Sequence, residues 1–225
     1  MTEEPAHQPI LLLRPVVGAE SGQLPAANLV GAAIDMVTQE GPALGRPLVD
    51  HIKTSRHKNM KELRPGGSGD SEVRILFCFD PKRSAILLMA GDRNGRWKDW
   101  YETNIPLADD LVRHPPTGAE GTAVMVSNRQ DVRTRANLDE VKVAEHRDRM
   151  ISEIRAARLA EVRQRHEMSQ TQVAERMGVS QARVSAIEKG ELPATEIGTI
   201  AKYIAAIGGQ LQIVADFGDE KLILG

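Results

Sequence analysis

At 225 residues, with net charge −2 and 3% aromatic side chains, the chain fits one or two domains and is not a generally basic coat for nucleic acid; any such binding must come from local patches. Its single cysteine, Cys78, excludes an internal disulfide and, inside the apolar run Ile75 to Phe79, reads as a small buried side chain. No apolar run approaches the length of a membrane span, and the opening MTEEPAHQPILLLRPVV is a poor secretion signal, so the expected location is the cytoplasm.

The first part of the chain has an α+β rhythm. Ile10 to Val17, interrupted by Pro15, offers a strand, and Pro and Gly leave no convincing helix between Gln8 and Ala27. Leu29 to Thr38 reads as a helix closed by Glu40-Gly41-Pro42. Three strand-like runs follow: polar Lys58 to Leu63, expected at an edge; apolar Val73 to Phe79, expected at the centre; and Ala85 to Ala90, returning through the Asp80-Pro81-Lys82-Arg83 turn. Pro106 to Val112 suggests a short final helix. These elements predict a small antiparallel sheet with helices on one face. His114-Pro115-Pro116-Thr117-Gly118 cannot continue a helix, which divides the chain into a domain at 1–114, a linker at 115–137 and a second domain at 138–225.

The second domain reads as mainly α. Leu138 to about His166 is an amphipathic helix. The run Met168 to Gly190, MSQTQVAERMGVSQARVSAIEKG, then carries two helix starts and two stops. Ser169 caps Gln170 to Met177, which Gly178 ends; Ser180 caps Gln181 to Lys189, which Gly190 ends. Val173, Ala174 and Met177 share one face of the first helix, Val184 and Ile187 one face of the second, and Val179 is expected to plug the turn. Left outward are Gln181, Ala182, Arg183 and Ser185, side-chain types that read base edges. A helical hairpin with no DNA role would share the apolar spacing. Thr195 to Ile207 is a further helix. Leu211 to Ala215 and Lys221 to Leu224 form a terminal hairpin whose apolar side wants a partner, and a two-fold homodimer suits paired DNA half-sites.

The Gln-bearing first helix, Gly-Val-Ser turn, Gln-Ala-Arg-Val-Ser and Ile-Glu-Lys-Gly together resemble the Xre family, the lambda-repressor-like helix-turn-helix domains. The resemblance implies double-stranded operator DNA as partner. It puts Gln170 on the phosphate backbone, Gln181, Ala182, Arg183 and Ser185 on bases, and Lys189 on a phosphate. Arg183 is the foremost candidate for a guanine.

Between Arg46 and Lys98 Lys and Arg outnumber Asp and Glu. Lys53, Arg56, His57, Lys58, Lys61 and Arg64 cluster first, Arg74 opens the central strand, and Arg93, Arg96 and Lys98 precede Trp100 and Tyr101. Cations for phosphate and rings for stacking make an RNA-binding face one reading of this pattern; solvated strand edges are the other. No His spacing suggests a metal site, no cofactor is implied, and Gly66-Gly67-Ser68-Gly69 lacks the Lys-Ser/Thr of a phosphate-cradling loop.

Residues 29 to 112 carry, in order, Lys-Glu-Leu-Arg, an Arg that opens a strand, an Asp-Pro turn and a Gly-Asp-Arg…Trp-Tyr ending. They resemble the phage-derived Gp49-like branch of the RelE/HigB toxins, small ribosome-dependent endoribonucleases that cut messenger RNA. That resemblance implies catalytic roles for Lys61, Arg64, Arg74, Arg93 and Tyr101, with His57 and Lys98 secondary, and mRNA on the ribosome as a partner. From about Val126 the chain resembles the matching HigA-like antitoxin, so the whole reads as a toxin fused to its antitoxin, with Met125 at the junction. Two functions follow: an inhibited nuclease joined to its repressor, or a DNA-binding regulator whose toxin-derived domain is inactive.

Overall fold

The computed structural model describes residues 10–14, 26–68, 71–92, 97–114, 124–126, 133, 136–190, 197–218 and 220–224. They belong to two compact units, Met1–Met150 and Ile151–Gly225.

The first unit is built on one sheet. Its strands are β1 (Ile10–Arg14), β2 (Val49–His51), β3 (Lys61–Leu63), β4 (Gly67–Ser68), β5 (Ser71–Phe79), β6 (Ala85–Asp92) and β7 (Val124–Val126), in the order β2-β3-β5-β6-β1-β7, with β4 paired to β5. The run from β2 to β6 is antiparallel, as expected. β1 then joins β6 in parallel, and β7 returns antiparallel to β1. The polar run expected at an edge lies inside the sheet. β2, which the sequence reading passed over, pairs outside β3, so Glu62 and Leu63 are fully buried.

Two helices belong to this unit, α1 (Ala27–Glu40) and α2 (Trp97–Arg113). α2 is far longer than the expected Pro106 to Val112 and runs through Pro106. Tyr101, Ile105, Ala108 and Val112 recur at helical spacing and dock on Met60, Leu76, Cys78, Leu88 and Met89. Gly91 admits Trp100 to the sheet: a Cβ there would sit 2.2 Å from the indole nitrogen. Leu63, Ile75, Phe77 and Leu87 are buried too, so the sheet is covered on both faces rather than one. Burial pushes the Cys78 thiol up to about 11, in keeping with a packing role.

α3 (Glu140–Arg165) starts at Asp139, whose carboxylate accepts from the Val141 and Lys142 amides. The second unit continues with α4 (Gln170–Met177), α5 (Gln181–Lys189), α6 (Ile197–Ala206) and a hairpin of β8 (Val214–Asp216) and β9 (Lys221–Ile223). Its core is Val173, Ala174, Val184, Ile187, Tyr203, Ala206 and Ile207, with Leu159, Val162, Met168 and Met177 against it. Gly190 ends α5 at φ 69°, where a Cβ would come within 3.2 Å of the Ser152 carbonyl.

Candidate functional site

Three of the five residues expected to act on RNA converge on a carboxylate that the sequence reading left out. Glu62 is fully buried in β3. Arg64 Nε donates to its Oε2 at 2.6 Å, and the Tyr101 hydroxyl, from α2, donates to its Oε1. Arg74 Nε stands 3.8 Å from the same Oε1. Arg74 also donates to the Val73 carbonyl at 2.8 Å, while its buried Nε has no hydrogen-bond partner. Arg64 reaches Asp50 at 2.9 Å, and Asp50 pairs with Arg46 at 2.8 Å. Trp100 packs edge-on against the Tyr101 ring. The site thus holds a carboxylate that can take a proton, a phenol that can give one, and two guanidiniums beside them.

The sequence contained a signal for Glu62. Residues two apart on a strand share a face, so Glu62 and Arg64 must point together. The same rule separates Lys61 from them. Lys61 Nζ donates to the Pro42 carbonyl at 3.0 Å and sits over the Phe79 ring, and burial holds its ammonium below the usual lysine value. Arg93 lies outside the described residues, and Lys98 is exposed. His57 belongs to a second cluster around buried Asp109, which accepts from Ser55 Oγ at 2.5 Å and from the Arg56 amide at 3.0 Å. The His57 ring meets the Asp109 carbonyl at 3.1 Å. Burial opposes ionisation of Asp109, but the Ser55 and Arg56 hydrogen bonds outweigh it and hold the carboxyl below its ordinary value. Of the cations expected to form an RNA-binding face, Arg56, Arg64 and Arg74 lie against carboxylates, while Lys53, Lys58 and Lys98 are exposed.

In the second unit both helix starts are capped as expected. Ser169 Oγ accepts from the Gln172 amide while Gln172 Oε1 accepts from the Ser169 amide. Ser180 Oγ accepts from the Arg183 amide at 3.2 Å, and Gly178 turns the chain at φ 68°. Gln181, Ala182, Arg183 and Lys189 are exposed and Ser185 is half-buried. Gln170 ties the two helices: its Oε1 accepts from Gln181 Nε2 at 2.6 Å, and its Nε2 donates to Glu188 Oε2 at 2.9 Å. Val179 does not plug the turn; it is 37% exposed, because the αL residue Gly178 directs the chain outward before Ser180.

Behind this surface lies a buried network that the sequence did not reveal. Arg163 grips Glu188 with two bonds, Nε to Oε1 at 2.6 Å and Nη2 to Oε2 at 2.9 Å, and donates to the Met168 carbonyl. Tyr203 donates to Glu188 Oε1 at 2.6 Å. Burial opposes ionisation of Glu188, yet Arg163, Gln170 and Tyr203 outweigh it and keep the carboxyl below its ordinary value. Burial, reinforced by Glu188, pushes the Tyr203 hydroxyl up.

Among the described residues no three His, Cys, Asp or Glu side chains are grouped to hold a metal ion, and no helix is long and apolar enough to cross a membrane.

Two families match separate stretches of the chain. The family of phage derived proteins, Gp49-like, matches residues 24–113, and a helix-turn-helix family matches residues 159–213. A Mycobacterium tuberculosis protein carrying the toxin name HigB2 is 63% identical over 84 residues, 37% of this chain and 42% of that one. HigB3, a toxin name from the same organism, is 58% identical over 80 residues, 36% of this chain and 68% of the relative. The chain thus spans less than half of the first toxin relative and about two thirds of the second. HigA3, an antitoxin name from that organism, is 44% identical over 105 residues, 44% of this chain and 96% of the relative. A solved structure described as "Induced DNA bending by unique dimerization of HigA antitoxin" is 52% identical over 29% of this chain and 85% of its own, with a TM-score of 0.28.

Proposed function

Because the chain belongs to the Gp49-like HigB toxins through its first half and to the HigA-type helix-turn-helix antitoxins through its second, we propose that it is a toxin–antitoxin pair carried on one polypeptide. The second half binds operator DNA and represses its own synthesis. The first half is a ribosome-dependent mRNA endoribonuclease held inhibited. Both partners place the chain in the cytoplasm.

The DNA reading is carried by α4 and α5. Gln170, fixed by Glu188 and Gln181, stands at the start of α4 for a phosphate, and Gln181, Ala182, Arg183 and Ser185 open α5 toward bases, with Lys189 for a phosphate. The test is a gel shift with DNA from just upstream of the gene. Binding should fall steeply with salt. Exposed Val214, Phe217 and Ile223 on a hairpin with no further strand partner among the described residues support a homodimer closed by this hairpin. Ile223→Asp should convert it to a monomer by light scattering.

For RNA, Glu62 and Tyr101 serve proton transfer around the attacking 2′-hydroxyl and the leaving oxygen, and Arg64 and Arg74 meet the charge developing on phosphate, with Arg93 as a further cation. Lys61, expected to share this chemistry, stands apart from the cluster, bonded to the Pro42 carbonyl and over the Phe79 ring. A second reading, a DNA-binding regulator with an inactive toxin-derived domain, is favoured by the same cluster, since Glu62 already occupies Arg64 and Tyr101. Expressing residues 1–114, without the antitoxin-like part of the chain, and following growth and mRNA cleavage on translating ribosomes, with Arg74→Ala as control, separates the two. Cleavage that Arg74→Ala abolishes supports the nuclease; none supports the regulator.

A further inference from the structure

α1 lies within the Gp49-like match, yet one face of it is occupied by chain from beyond that match. Asn28, Gly31 and Asp35 recur at i, i+3 and i+7 and share that face. Buried Asp35 accepts from Arg133 Nη1 with both carboxylate oxygens, at 2.9 Å each. The other side of the same guanidinium donates to Glu140 in the first turn of α3. Asn28 Oδ1 accepts from the Asp139 amide at 2.9 Å. Between these two polar anchors Leu138 fills the space that Gly31 leaves: a Cβ on Gly31 would lie 2.7 Å from Leu138 Cδ1 and 3.7 Å from Val143 Cγ2. Val143 and Met150, farther along α3, are buried, and the chain up to Met150 belongs to the toxin-like compact unit.

We infer that this α1 face is a docking site for the start of an antitoxin-type helix, and that Arg133, Leu138, Asp139 and Val143 of the same chain fill it in cis. The occupant has a defined chemistry: an arginine whose Nη1 is shared by both Asp35 oxygens, a leucine for the glycine notch, and a helix-capping aspartate whose own amide is also held. Each element has a matching feature on α1, which distinguishes the contact from general apolar cover. Being on the same chain, the segment meets α1 at high effective concentration and closes the site to a separate antitoxin chain. This inference rests on reading the second half as an antitoxin, but its test needs neither DNA binding nor cleavage.

Amide hydrogen exchange on the full chain is the experiment. Arg133→Ala and, separately, Leu138→Ala should speed exchange of the α3 amides from Val143 to Met150 by about tenfold or more, with β5 and β6 still protected. Gly31→Val, which fills the notch, should do the same. Should Gly31→Val lose protection in β5 and β6 as well, the Arg133→Ala result decides. Unchanged exchange in Arg133→Ala and Leu138→Ala overturns the docking site. Faster exchange with no change in DNA binding or cleavage keeps the site and counts only against the functional reading.

Discussion

Two buried glutamates, one in each unit, each meet arginine and tyrosine but differ in how completely the groups around them are hydrogen-bonded. Glu188 meets Arg163, Gln170 and Tyr203, and both of its oxygens are hydrogen-bonded. Glu62 meets Arg64 and Tyr101, with Arg74 held at 3.8 Å and its Nε left without a hydrogen bond. The first is a saturated network. It fixes the spacing of α4 and α5 through a carboxylate that no ligand needs to touch. In the second, both carboxylate oxygens are hydrogen-bonded too, but the neighbouring Arg74 Nε is not, and Arg64 is 37% exposed. One guanidinium nitrogen without a hydrogen bond, buried beside a carboxylate and a phenol, is costly to the fold. The likeness of the two clusters shows that composition alone does not separate a structural lock from a candidate site; the unpartnered Arg74 Nε and the exposure of Arg64 are what set the second apart.

The comparison can be broken by mutation. The largest expected effect is at the open cluster: Tyr101→Phe should lower mRNA cleavage by about 10²–10⁴-fold, the range for a lost proton-transfer group, at a stability cost of only about 1–3 kcal/mol for the Glu62 oxygen left without its donor. A large loss of stability instead would make Glu62 a second lock. At the saturated cluster Arg163→Ala should cost about 3–5 kcal/mol by chemical denaturation, because it strands a buried charge.

The same cluster has a pH signature. Its folded carboxyl sits below the ordinary glutamate value of 4.5, so its stabilisation is complete above that value and lost as pH falls through the lower folded value. Exchange of the α4 and α5 amides should show this acid loss, and Glu188→Gln should flatten it. A smaller effect is expected on the reading surface: Arg183→Ala should weaken specific DNA binding by about 1–3 kcal/mol while leaving stability alone. The smallest is Ser169→Ala, about 1 kcal/mol of stability from the lost cap. A larger binding loss from Ser169→Ala than from Arg183→Ala would mean that the position of α4, not the α5 side chains, sets affinity.

Much of the second unit was legible because its signals are local. A Ser cap, a Gly stop and apolar residues three or four apart each act within one or two turns, so Ser169, Gly178, Ser180 and Gly190 mark their helices unaided. The first unit was legible in its motif and less so in its layout. β2 is three residues long and lacks a period that distinguishes it, so β3 was placed at an edge and Lys61 was grouped with Arg64. Pro106 was read as a helix start, yet the apolar spacing on either side of it carries α2 through. The apolar side chain of Val179 suggests a plug for the turn, yet it is exposed beside the αL residue Gly178.

The order of residues along the chain was enough for what depends on neighbours: the caps, the helix stops and the family of each part. Only folding in three dimensions could decide which charges meet, because Glu62 and Tyr101 are 39 residues apart, Arg163 and Glu188 are 25, and Asp35 and Arg133 are 98. Contacts at such separations are set by sheet register and helix packing, and no local spacing encodes them.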